Sequence, residues 1–302
     1  MSKKLISVFG ATGHQGGSVV NALLEKRDDF SIRIFTRNTN SDKSKQLKNR
    51  GVDVVELDLE KVNTMAITKA LEGSYGVFIV TDFWSLGNKE IQITKNIVDA
   101  AFNAHVKHLV YSSLAHVSKI TNGRICSPEY DNKATVEEYV RERYNNAKNT
   151  AMAVSFVQCP FYAQNFHSDA FKPLRDNNGV YRLRMPLDPA LKPLEIGDIS
   201  NIGYIVLGIF SNPLKYNLVV VPFAGSTLHG KEIAEIMSKT SGKKVEYQFV
   251  PTSEYDPPSI ADMFRFCSEY GAFNGLDTSL ATDITRLTTL EEYLTNNPLD
   301  LL

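Results

Sequence analysis

The stretch VFGATGHQGGSVV, residues 8–20, constrains this chain more than any other. It follows the short apolar run KLISVFG (4–10) and precedes GGSVVNALLEKR (16–27), whose Val19, Val20, Leu23 and Leu24 recur at helical spacing. Gly10, Gly13 and Gly16 fall at i, i+3 and i+6. Such a strand–loop–helix turns sharply, lets a pyrophosphate approach without side chains in the way, and points the amides of a helix N-terminus at negative charge. The loop residues Gly10, Ala11, Thr12, Gly13, His14, Gln15 and Gly16 are therefore candidate phosphate-binding residues. The spacing differs from GxGxxG.

The same strand-and-helix rhythm continues. SIRIFTR (31–37), GVDVVELDL (51–59), YGVFIVT (75–81), VKHLVYSS (106–113) and MAVSFVQCP (152–160) read as strands. TMAITKAL (64–71) and EIQITKNIVDAAFNAH (90–105) read as helices between them. Short β-branched strands alternating with helices predict an α/β fold, a doubly wound parallel sheet of Rossmann type. Beyond residue 150 prolines and shorter elements dominate, with helices at 200–210, 230–242 and 258–271 and a strand at 244–250. The expected organisation is a dinucleotide-binding domain over 1–155 and a smaller C-terminal α/β region over 156–302, partly continuous with the sheet. The last residues, NNPLDLL (296–302), read as a tail.

Which dinucleotide binds is read at the end of the second strand. An acid there would accept hydrogen bonds from the ribose hydroxyls and repel a 2′-phosphate. The strand instead ends FTRN, with Arg37. A guanidinium pairs bidentately with a phosphate and stacks on adenine, which favours NADP(H) over NAD(H). Lys43 could add charge from the following loop. Asp58 and Leu59, ending the third strand, are placed for the adenine; Val80 and Thr81, ending the fourth, for the ribose. Phe83 and Trp84 could wall the pocket or simply pack.

The catalytic half is less regular. In SPEYDNKATVEEYV (127–140), Lys133 sits on a helix whose buried stripe is Val136, Val140 and Ala147. A tyrosine four residues before such a lysine normally moves the proton, because the lysine lowers its pKa. Here that slot holds Glu129. Tyr130 is three before the lysine, and i+3 and i+4 positions lie about 60° and 40° to opposite sides of a helix face, so Tyr130 points about 100° from the slot. Glu129 could pair with Lys133, and a carboxylate so paired would stay ionised, a poor proton donor. Ser112 or Ser113 stands where a carbonyl-binding serine would.

Bulk properties narrow the alternatives. The formal net charge is −1 over 302 residues, so no global field points to nucleic acid. The basic stretch KSKQLKNR (43–50) reads as a solvated helix face. Three scattered cysteines suggest a reducing compartment and no metal cluster. No run is long enough for a membrane span, and the N-terminal apolar run is too short for a signal peptide. A cytoplasmic protein is expected, with a nuclear pool compatible.

VFGATGHQGGSVV, FTRN, FIVTDFW, LVYSSL, YDNKATVEEY and CPFYAQNF together resemble the NmrA-like family of atypical short-chain dehydrogenase/reductases, most of all its NADP-sensing branch. The resemblance runs in order through residues 4–166 and more loosely beyond. It implies a Rossmann NADP-binding domain with a smaller C-terminal domain. It also implies a regulatory protein that responds to the NADPH/NADP+ ratio and controls partners such as transcription factors. Members keep the lysine and lack the tyrosine. Carried over by position, residues 11–16 meet the pyrophosphate, Arg37 the 2′-phosphate, Asp58 and Leu59 the adenine, and Lys133 the nicotinamide ribose. Tyr162, Ala163, Gln164 and Asn165 line the nicotinamide end. The basic residue often found four after the arginine is Ser41 here, with Lys43 nearby. Cofactor is expected to order the glycine loop and segments 80–90 and 160–170. The alternatives are an NADPH-dependent reductase of isoflavone-reductase or quinone-reductase type that uses Lys133 for proton transfer, and an interaction protein indifferent to cofactor.

Overall fold

Strands with both faces covered are runs of apolar residues rather than alternations, and the first half of the chain follows that rule. The computed structural model describes residues 3–147, 151–256 and 258–301. In order come β1 (Lys4–Val8), α1 (His14–Leu24), β2 (Phe30–Thr36), α2 (Asp42–Asn49), β3 (Asp53–Glu56), α3 (Thr64–Ala70) and β4 (Gly76–Ile79). Then follow α4 (Phe83–Leu86), α5 (Glu90–Asn103), β5 (His108–Ser113), α6 (Val117–Ile120), α7 (Pro128–Asn146) and β6 (Ala153–Gln158). Side-chain caps set two helix starts: Ser41 Oγ accepts from the Ser44 amide and Asn63 Oδ1 from the Ala66 amide.

The chain divides into two compact units, residues 1–113, 132–157 and 202–221 in one, and 114–131, 158–201 and 222–302 in the other. A single cut after residue 155 does not describe this division. The stretch 202–221 belongs to the first unit because it supplies most of α8 (Ser200–Ser211) and the outer strand β11 (Val220–Pro222) of its sheet.

The first unit is built on a seven-stranded sheet in the order β11-β6-β5-β4-β1-β2-β3. β1 pairs in parallel with both β2 and β4, β2 with β3 and β4 with β5. The doubly wound expectation therefore holds, and the chain reverses direction across the sheet beside β1, where such folds place their ligands. Val77, Ile79, Ile97, Leu109, Tyr111, Val136, Val140 and Phe156 belong to one continuous core. Val136 and Val140 are the buried stripe expected of α7, whereas Ala147 lies past its end and is half-buried. The basic α2 buries Ser44 and Leu47, and its lysines face solvent.

The second unit carries two three-stranded sheets. One is β12 (Ser226–Leu228), β10 (Leu194–Gly197) and β7 (Phe161–Tyr162); the other is β13 (Val245–Phe249), β9 (Tyr181–Met185) and β8 (Leu174–Arg175). Helices α9 (Gly230–Ser241), α10 (Pro258–Tyr270), α11 (Ser279–Thr282) and α12 (Leu290–Asn296) complete it. Its core includes Phe166, Leu183, Met185, Ile233, Met237, Phe264 and Leu294. The C-terminal residues are not a tail. Leu299 and Leu301 are buried in that core, and the Tyr181 hydroxyl donates to the Leu301 carbonyl at 3.1 Å. Read one residue at a time, NNPLDLL is polar and proline-broken, but its alternate leucines have a core to enter.

Candidate functional site

The glycine loop closes as its spacing requires. Gly10 adopts φ +71°, in the left-handed region, and a Cβ there would lie 2.7 Å from the Val80 carbonyl oxygen. A Cβ on Gly16 would lie 2.4 Å from the Gly10 carbonyl oxygen. Both positions are thus closed to any side chain by backbone. The Gly13 amide donates to the Gly10 carbonyl at 2.9 Å, and Gly13 caps α1 without a side chain. The first-turn amides of α1 are left for an anion. Gly13 and His14 are exposed, while Ala11 is buried and Thr12 and Gln15 are half-buried. Ser112, a candidate carbonyl binder, donates to Gln15 Oε1 at 2.7 Å and ties the loop to β5.

The adenine side is open and charged. The Arg37 side chain is 69% exposed and stands 3.8 Å from the Glu60 carboxylate. Ser41, at the position where a basic residue is often found, serves instead as the cap of α2. Lys43, one residue into α2, donates to the Thr12 carbonyl at 3.1 Å and so reaches the glycine loop. Asp58 pairs with Lys61 at 3.0 Å and accepts from the Glu60 amide. The Lys61 hydrogen bond holds its carboxyl below the usual value. Leu59 is half-buried beside it.

Lys133 is where structure departs from expectation. It does not pair with Glu129. Its ammonium donates to Glu90 Oε1 at 2.5 Å and to the Thr81 carbonyl at 2.8 Å. Glu90 opens α5, is 1% exposed, and also accepts from the Thr81 hydroxyl at 2.8 Å and Asn132 Nδ2 at 3.2 Å. An ammonium has three N–H groups, so one remains for a ligand. Spacing on one helix suggested Glu129, yet the partner comes from another element. One signal was present: Glu90 stands at the head of the stripe Ile93, Thr94, Ile97, Val98 and Ala101, where an acid is out of place.

Glu129 is buried, and among the described residues no well-aligned hydrogen bond reaches either carboxylate oxygen. Burial raises its carboxyl above the ordinary value, with its own amide and Ser127 opposing. The pairing with Lys133 that would have kept this carboxylate ionised is not made, and burial works against its charge. Tyr130 packs edge-on against Phe266, and burial pushes its phenol well above the usual range, with the Cys267 thiol beside it. It packs in a buried cluster with Val117, Ile125 and Phe266.

The segment 162–165 lies in the second unit. The Tyr162 hydroxyl is buried beside the Cys159 thiol, burial pushes its phenol well above the usual range, and Ala163 is 1% exposed. Gln164 is consumed by structure, donating to Asp198 at 2.7 Å and accepting from the Ile199 amide at 3.2 Å. Asn165 contributes its carbonyl to Ser168. Among the described residues no helix is long and apolar enough to cross a membrane.

Fold and loop together define a doubly wound α/β protein with a glycine cradle, an exposed arginine and a clamped lysine that follow the carboxyl ends of β1, β2 and β4. The chain belongs to the NmrA-like family, whose model matches residues 2–294. It is 39% identical over 301 residues to an NmrA-like family domain-containing protein of Dictyostelium discoideum, covering 97% of both chains. It is 30% identical over 257 residues to the NmrA-like family domain-containing oxidoreductase malD of Malbranchea aurantiaca, covering 81% of this chain and 75% of that one. In structure it matches NmrA, a negative transcriptional regulator solved in complex with NADP, with a TM-score of 0.80 at 24% identity over 99% of both chains.

Proposed function

We propose that this protein binds NADP(H) and that its occupancy, following the NADPH/NADP+ ratio, controls a protein partner such as a transcription factor in the cytoplasm or nucleus. The observation that carries this reading is the Lys133 clamp. An ammonium fixed by Glu90 and Thr81 is built to hold a ribose hydroxyl, and no tyrosine stands four residues before it. In this reading the α1 amides receive the pyrophosphate and Arg37, helped by Lys43, the 2′-phosphate. Asp58 and Leu59 border the adenine, Val80 and Thr81 the ribose, and Tyr162 to Asn165 the nicotinamide end. The crystallised NmrA neighbour, a regulator with NADP bound, supports it. Calorimetry with NADP+, NADPH and NAD+, run beside limited proteolysis, tests it. Tight NADP(H) binding that protects segments 80–90 and 160–170 is expected. Proteolysis indifferent to cofactor would sink the sensor.

A second reading, an NADPH-dependent reductase, is favoured by Glu129. Bound NADPH would supply a hydride, and a buried carboxyl whose pKa burial raises, one helical turn before Lys133, is a candidate for moving a proton. Lys133 itself fits the proton-transfer role poorly, since it is committed to an ion pair. The oxidoreductase name of the Malbranchea relative supports this reading. Loss of NADPH absorbance with quinones, enones or aromatic aldehydes would decide for it, provided Glu129→Gln abolishes the turnover.

A further inference from the structure

We infer that Glu90 is a positioning residue for the cofactor, acting through Lys133, and that the same ammonium fastens both ends of the 82–89 excursion. The inference rests on the proposal that Lys133 anchors the nicotinamide ribose. A carboxylate 1% exposed at the head of an apolar helix stripe contributes little to stability compared with an apolar side chain of similar size. Its geometry does something else. It gathers donors from the end of β4 and from α7: the Thr81 hydroxyl, the Asn132 amide and the Lys133 ammonium. A lysine carries four methylenes and much rotamer freedom. Held by Glu90 and the Thr81 carbonyl, its nitrogen is placed before a ligand arrives, with one N–H left.

Thr81 and Glu90 also bound the excursion that leaves β4 and enters α5. Asp82 caps α4 through the Trp84 amide at 3.2 Å, and Gly87 turns the chain with φ +51°. Trp84, the single tryptophan of the chain, stands on this excursion and is 65% exposed. A ligand that engages Lys133 therefore touches the node holding both ends of the segment.

The test compares NADP+ with adenosine 2′,5′-bisphosphate, which carries the 2′-phosphate and lacks the nicotinamide ribose. Calorimetry of Glu90→Gln should show NADP+ weakened about tenfold or more with the bisphosphate unchanged. Lys133→Ala should show the same pattern, and the double variant should lose no more than either single one, as coupled residues do. NADP+ should move Trp84 emission in the native protein and not in Glu90→Gln; the bisphosphate should move it in neither. Equal weakening of both ligands, additive losses, or unchanged NADP+ affinity in Glu90→Gln would overturn the positioning role. Emission that ignores NADP+ in the native protein would remove the link to 82–89. NADP+ affinity untouched in Lys133→Ala would instead bring down the ribose-anchor reading beneath it. Should Glu90→Gln not fold, Asn132→Ala removes one contact to the same carboxylate. It must then weaken NADP+ selectively, to a smaller degree, or the inference fails.

Discussion

Two buried glutamates, one in each compact unit, receive opposite treatment. Glu90 in the first unit has its carboxylate filled by an ammonium, a hydroxyl and an amide. Among the described residues no well-aligned hydrogen bond reaches either oxygen of Glu129 in the second, a condition shared by Ser268 there and by His108 Nδ1 and the Tyr111 hydroxyl in the first. Buried polar groups are nearly always satisfied, so an unsatisfied one calls for an explanation. The Glu90 carboxylate is thus organised in advance, while the Glu129 carboxylate keeps hydrogen-bonding capacity in reserve. The difference teaches that a sequence slot is not a role: Glu129 holds the catalytic tyrosine's position on α7, yet it is Glu90, forty-three positions upstream, that meets the lysine.

The sharpest way to break this contrast is to remove the paired acid. Glu90→Ala leaves a buried ammonium uncompensated and should lower unfolding stability by about 3–5 kcal/mol in urea titrations. Glu90→Leu with Lys133→Met should recover most of it, since replacing both charges by apolar groups is often neutral. If Glu90→Ala costs nothing, the pair is not the buried unit described.

His108 carries the comparison into the first unit. It is fully buried, its Nε2 meets Ser155 Oγ at 2.9 Å, and its Nδ1 has no partner. Burial, then the Lys4 charge, pulls its pKa down to about 4. The unfolded chain therefore takes up this proton first as pH falls. Stability is intact above the ordinary histidine value and is lost by up to about 3 kcal/mol between roughly pH 6.5 and 4. Melting temperatures of His108→Gln, which keeps a polar group for Ser155, should show a flatter slope over that window.

Gly16→Ala would force a Cβ against the Gly10 carbonyl. NADP+ affinity should fall roughly tenfold or more by calorimetry while the melting temperature moves little, because the strain falls on the loop. Arg37→Ser should weaken NADP+ by about 1.4 kcal/mol and leave NAD+ unchanged. A parallel loss on both would mean Arg37 does not read the 2′-phosphate. The smallest effect is expected at Glu129. Its raised carboxyl means the folded protein holds that proton more tightly than the unfolded chain, so stability falls as pH rises through the raised value. Glu129→Gln should be relatively more stable at pH 8 than at pH 5.

Much of the first unit was legible in the sequence. Its strands are mostly apolar runs bounded by turns, and helices such as α1 and α5 announce a stripe, whereas the four-residue α4 buries none of its side chains. The glycine loop was legible because only backbone chemistry was in question. The second unit was less so: β7 and β8 have two residues each and β12 three, too short for any period to register. Lys43 was visible as a spare charge, but its reach to Thr12 depended on where α2 begins, and Ser41 set that as a cap.

By itself the sequence determined the doubly wound sheet, the glycine cradle, the arginine at the end of β2 and the missing tyrosine, because each depends on neighbours a few residues apart. Only the tertiary structure decided who neutralises Lys133, who is left unpaired, and where the last leucines go. Those outcomes depend on burial and on partners from distant elements, and a buried charge takes whichever compensating group the packing brings within reach.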